Sequence, residues 1–172
     1  MFLDESVKTL RQLSERIEAC LAKLNDDQIW ARGGDNENAI GNLALHLAGN
    51  VRQWIISHLG GQPDLRQRDQ EFAARGGRTT QELSTQLKNT VEEAAAVIQS
   101  LDTERLTRNY TIQKYEVTGL TAVYHVVEHF AQHTGQIIFA TKMLTGTDLG
   151  FYSHLKTRPQ TESAPAEPAS SR

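Results

Sequence analysis

One stretch constrains this chain more than any other: residues 124–145, YHVVEHFAQHTGQIIFATKMLT. It spaces His125, His129 and His133 four residues apart. On a helix such residues stack on one face, and at about 100° per residue the three imidazoles fall within an arc of roughly 80°. Gln136 shares that arc and Gln132 borders it, while Val126, Val127, Phe130, Ile137, Ile138, Phe139 and Leu144 surround it with apolar surface. No core needs such a polar stripe for packing, so the rest of the chain is expected to be arranged around it.

The remaining pattern is helical. Leu3, Val7, Leu10, Ile17, Leu21 and Leu24 step by threes, fours and sevens, which predicts an amphipathic helix over residues 2–23. Cys20 lies beside that stripe and reads as a small core residue. Residues 25–38 read as a loop anchored by Trp30. A second helix is expected over 39–59, with Leu43, Leu47, Val51, Trp54 and Ile55 on its apolar face. Asn42, His46, Asn50 and Gln53 form an adjoining polar line, and His46 stands between Leu45 and Leu47, an odd place for a solvated residue. Gly60, Gly61 and Pro63 end the helix.

Residues 62–78 form a charged connection, long for a bundle link, that predicts a crossover or a covering segment with a helical turn near 71–75. Thr79 and Glu82 make a capping box that opens a third helix, stepping through Leu83, Leu87, Val91, Ala94, Ile98 and Leu101. Around Tyr110–Ile112 and Tyr115–Val117 the chain becomes β-branched, as in a short hairpin or extended loop. The striped helix then runs over 119–144 to Gly146. The fold class expected is all-α: one four-helix domain over 1–155, followed by a Pro/Ser/Ala/Glu tail, 156–172, expected to be disordered.

Composition excludes several functions. A net charge of -3 with scattered Lys and Arg argues against a nucleic-acid partner. The single Cys20 allows neither an intrachain disulfide nor a cysteine-cluster metal site, and it fits a reducing, cytoplasmic setting. The start, MFLDESVKTLRQL, has acids where a signal peptide needs bases, and no stretch reaches the ~18 apolar residues of a membrane span.

Neutral imidazole is the commonest metal ligand among side chains, and two at i, i+4 on a helix reach one ion. His46 is the best third donor by spacing and surroundings. Three histidines that leave positions open for water make a catalytic rather than a structural site. His125, Glu128 and His129 also spell H-x-x-E-H, an inverted zincin pattern that needs a further ligand downstream. Only Asp148 and the tail residues Glu162 and Glu167 offer one, so a protease is disfavoured.

The combination of G-N-L-x-L-H-L-x-x-N from Gly41 to Asn50 with H-x-x-x-H-x-x-x-H-x-G-Q from His125 to Gln136 resembles the DinB-like superfamily of metal-binding four-helix proteins. The similarity runs from the first helix to about Tyr152. It implies an up-down-down-up bundle, which accounts for the long connection between the second and third helices. It implies His46, His129 and His133 as ligands of a divalent ion such as zinc, nickel or iron. His125, Asn50 and Gln136 would then line the site or bond in its second shell. It also implies a homodimer. Some members are thiol-dependent transferases, which points to a low-molecular-weight thiol and a small electrophilic substrate; others have no established activity. Two classes stay open: a metal-dependent enzyme, as thiol S-transferase or hydrolase, and a non-catalytic, stress-associated metal-binding bundle.

Overall fold

The computed structural model describes residues 1–155; the tail over 156–172, expected to be disordered, lies outside the described residues. Helix α1 spans Phe2–Leu21, and the short α2, Asp26–Trp30, follows it. Helix α3 spans Ile40–Val51 and continues as a π-helical segment, Arg52–Leu59. Next come α4 (Arg68–Ala73), α5 (Thr80–Gln99) and α6 (Thr103–Thr107). Strands β1 (Asn109–Ile112) and β2 (Tyr115–Thr118) form an antiparallel hairpin, followed by α7 (Gly119–Thr145) and a 3-10 turn, Ser153–Leu155.

The four long helices carry the core. Leu10, Ile17, Leu47, Ile55, Leu87, Ile98, Val126 and Phe130 are fully buried within one apolar cluster. Side-chain pairs give the helix directions. Arg11 bonds Glu92 and Lys88 lies by Glu18, so α1 and α5 run antiparallel. Arg52 pairs with Glu93 and Gly60 lies against Val97, so the α3 rod and α5 run parallel. His46 meets His133 while Trp54 meets His125, so α3 and α7 run antiparallel. The order is therefore up-down-down-up, and parallel α3 and α5 require the long crossover that carries α4.

Ends form where local chemistry predicts. Thr79 accepts from the Glu82 N–H while Glu82 accepts from the Thr79 N–H, and Gly146 adopts φ 63° to close α7. The loop expected at 25–38 departs from the sequence reading. Asn25 and Gln28 form a reciprocal cap that nucleates α2, and the turn buries Ile29 completely. The last eight residues of the second rod also depart, because they widen into a π-helix, whose signature is the Gly60 N–H donating to the Ile55 carbonyl. Residues 109–118 are the hairpin, and its turn residues Gln113 and Lys114 take positive φ. Cys20 is fully buried, as a core residue should be.

Candidate metal centre

His46 comes from the middle of α3, His129 and His133 from the middle of α7, and the antiparallel contact brings them together. His129 Nε2 lies 3.1 Å from His46 Nε2 and 3.2 Å from His133 Nε2. Two nitrogens bound to one tetrahedral zinc at about 2.0–2.1 Å stand roughly 3.3 Å apart. Among the described residues these three alone form a cluster of His, Cys or acidic side chains with ligand atoms close enough for one ion.

The outer faces of the rings decide what the inner faces offer. His46 Nδ1 lies 3.0 Å from Glu71 Oε2, and His133 Nδ1 lies 2.7 Å from Gln136 Oε1. A carboxylate and an amide oxygen accept only; Arg66 Nη2 also lies 3.1 Å from His46 Nδ1, but its shorter bond goes to Glu71 Oε2 at 2.8 Å, so each Nδ1 is assigned the proton and each Nε2 turns a lone pair inward. His129 Nε2 could donate to one of them but not to both. A cation shared by all three nitrogens satisfies the set, so these residues fit a divalent ion.

Burial reinforces the neutral state. Desolvation, helped by repulsion from the Arg66 cation and from any proton shared among the clustered imidazoles, lowers His129 from 6.5 to about 3. His133 is also lowered by burial, against an opposing hydrogen bond with Gln136, and His125 is lowered by burial against the Glu128 charge. Burial thus favours the neutral form of His129 and His133, the form that ligates.

Glu71 and Arg66 are functional residues that the helical pattern does not reveal. Both stand on the crossover and are nearly buried, with side-chain exposures of 11% and 3%. Arg66 Nε donates to Glu71 Oε1 at 2.7 Å and its Nη2 to Oε2 at 2.8 Å, a two-pronged clamp. Burial alone would raise the Glu71 carboxyl, but hydrogen bonds from Arg66 and then His46 outweigh it and hold the pKa below the ordinary value. The signal available in sequence was only a charged link too long for its span.

The α3 motif explains how the crossover is held. Asn42 is fully buried; its Nδ2 donates to the carbonyls of Glu71 at 2.8 Å and Ala74 at 2.9 Å, and its Oδ1 accepts from Arg32 at 2.6 Å. A Cβ at Gly49 would overlap Glu71 Oε1, and one at Gly41 would meet the Trp30 ring at 2.8 Å. Gly41, Asn42, His46 and Gly49 are thus one device: two close approaches, an anchor for α4 and the inward imidazole.

The other residues singled out from sequence divide. Gln136 holds His133 from behind. His125 stays out of the nitrogen cluster; its ring stacks on His129 at 5.5 Å and on Trp54 at 4.0 Å. Asn50 is buried and lines the adjoining cavity, but makes no hydrogen bond to the three histidines, and its Oδ1 has no partner. The inverted zincin arrangement does not assemble, because His125 lies outside the cluster and Glu128 is exposed. Among basic residues, Arg66 and Arg68 line the cavity; Arg52 pairs with Glu93, and Arg75 donates to carbonyls of α4 and its C-cap. Tyr124 is exposed and the Tyr110 hydroxyl donates to the Arg105 carbonyl, and neither lines the cavity.

The sequence matches the family model described as "Protein of unknown function (DUF1572)" over residues 1–157. No curated protein matches it. Among solved structures, a conserved protein from Enterococcus faecalis is similar with a TM-score of 0.71 at 17% identity, covering 84% of this chain and 97% of that one. A DinB-like protein from Bacillus subtilis is similar with a TM-score of 0.65 at 18% identity, covering 86% and 97% respectively. At these identities the likeness concerns the fold.

Proposed function

The chain belongs to the DUF1572 family of DinB-like proteins, and from that premise we propose a divalent-metal protein whose His46, His129 and His133 hold one ion for thiol S-transfer chemistry. The observation that carries this reading is the meeting of three Nε2 atoms, two of them fixed from behind by Glu71 and Gln136. A divalent ion supplies a Lewis-acid centre that lowers the pKa of a thiol or a water brought against it. Zinc, nickel and iron all suit an imidazole donor set.

The chain's own residues supply the rest. Glu71, clamped by Arg66, holds the proton on His46 Nδ1, and Gln136 does the same for His133. The site opens onto a cavity of about 410 Å³, a size that suits a small thiol and a small electrophile. His125, kept neutral by burial and in no hydrogen bond within the described residues, stands in the cavity wall to accept the proton a thiol releases.

This reading includes a homodimer and a cytoplasmic setting. The dimer is supported by the outer face of α7, where Leu120, Tyr124, Phe139 and Met143 are exposed. The setting fits a chain whose single cysteine, Cys20, is buried and in no disulfide. No helix among the described residues is long and apolar enough to cross a membrane.

The test is elemental analysis of untagged protein, purified without added metal, beside His129→Ala. About one ion per chain, lost in the variant, supports the site; no ion in either sinks it. Thiol consumption with model electrophiles then separates an S-transferase from a hydrolase, which would need no thiol, and from a non-catalytic bundle, which would turn over neither. The open cavity favours the catalytic classes over the last.

A further inference from the structure

Buried polar atoms that find no partner cost roughly 1–3 kcal/mol each, so a group of them on one cavity wall calls for an explanation. Four such side-chain atoms occur among the described residues, and three belong to residues that line the cavity beside the histidines. They are Trp54 Nε1, Asn50 Oδ1 and His129 Nδ1. Trp54 is 3% exposed and Asn50 4% exposed, one turn apart where α3 passes into the π-helical segment. Indole N–H donates only, so Trp54 asks for an acceptor; the Asn50 oxygen asks for a donor.

Charge narrows the class. The cavity is lined by Arg66 and Arg68 and by no acidic side chain. Arg66 is already neutralised by Glu71. Arg68 is exposed, with its guanidinium 4.9 Å over the Phe72 ring, and is in no ion pair among the described residues. Trp54, Val117 and Tyr115 give the remaining walls a flat, largely apolar character. The hairpin that carries Tyr115 and Val117 is tied to the rod by a hydrogen bond from Gln113 to Gln53, so this wall is built in.

We infer that this cavity binds a small organic carboxylate carrying a neighbouring hydroxyl or amine: the carboxylate accepts from the Trp54 indole N–H, the neighbouring group donates to Asn50, and Arg68 offsets the charge. The inference deepens the proposed function and rests on that reading only for the ion beside the ligand. Binding itself needs the cavity, not the metal.

The probes are mandelate, phenylacetate and phenylacetamide, which hold the ring constant and vary the hydroxyl and the charge. The readout is the pair of tryptophan indole N–H resonances in the full chain, zinc-loaded and metal-free. Trp30 is an internal control, since its Nε1 already donates to the Arg78 carbonyl. The expected result is a saturable shift of the Trp54 signal alone, with mandelate tighter than phenylacetate and phenylacetamide weakest. Asn50→Leu should remove the mandelate advantage, about fivefold for one hydrogen bond, and Arg68→Ala should weaken both acids about threefold but not the amide. A Trp54 signal that stays still with all three, or that answers the amide as strongly as the acids, overturns the inference. If zinc fails to bind while Trp54 still responds, the tri-histidine reading falls and the cavity stands. If zinc binds and Trp54 is silent, the reverse holds.

Discussion

A histidine does not by itself decide which nitrogen it offers; its second nitrogen decides. Here Glu71 and Gln136 take the Nδ1 protons of His46 and His133 and leave Nε2 free. Glu71→Gln keeps the shape and removes the charge, so metal affinity should fall by about tenfold or more, read by competition with a chelator at pH 7. Unchanged affinity would mean that Glu71 only packs. Acid acts at the same scale. His129 has a folded pKa of about 3 against an ordinary 6.5, so between those values the unfolded chain holds a proton that the folded chain refuses. Stability of the metal-free protein is therefore complete above about pH 6.5 and is lost as pH falls through that window, with His133 and His125 adding in the same direction. Urea midpoints at pH 7 and pH 5 check the sign: the midpoint should be lower at pH 5.

At the scale of elements, the crossover matters most. It joins parallel α3 and α5, but it also delivers Arg66 and Glu71 to the back of His46. Asn42 is its anchor, through the carbonyls of Glu71 and Ala74. Asn42→Leu should cost about 1–3 kcal/mol of docking and expose residues 62–78 to hydrogen exchange and protease, with a parallel loss of metal affinity. Gly49→Ala should produce the affinity loss alone, because its methyl would take the place of Glu71 Oε1 without touching the Asn42 bonds. A Gly49→Ala protein with full affinity would show that Glu71 can hold His46 from another position.

For the whole molecule, a ligand that binds only the folded state stabilises by mass action. Zinc at a hundredfold excess over its Kd should contribute about 2.7 kcal/mol, or roughly 5–10 °C of Tm for a chain of this size. His129→Ala should lose that increment while keeping its helical spectrum, because the apolar cluster across α1, α3, α5 and α7 needs no metal. The homodimer belongs to this scale too. Sedimentation velocity should give twice the chain mass, and Phe139→Asp on the exposed face of α7 should halve it.

The division between sequence and tertiary structure follows interaction range. A helix repeats every 3.6 residues, so the four rods, the Thr79 cap and the Gly146 stop were legible from neighbours a turn apart. The i, i+4 spacing of the three α7 histidines was legible for the same reason, His46 stood out by its apolar surroundings, and motif resemblance chose His129 and His133 as the pair. The π-helical turn carries no such period, and α2 hangs on a single reciprocal cap. Glu71 lies 25 residues beyond His46 in an aperiodic link, and only the folded crossover lays its carboxylate on that ring. The cavity is likewise a tertiary product, since Asn50, Trp54, Tyr115, His125 and Arg68 come from the α3 rod, a hairpin, α7 and the crossover. Sequence set what each segment could be and which residues carried chemistry. Packing decided which nitrogens converge, what holds them from behind and which buried polar atoms are left without a partner, because these depend on contacts no local pattern encodes.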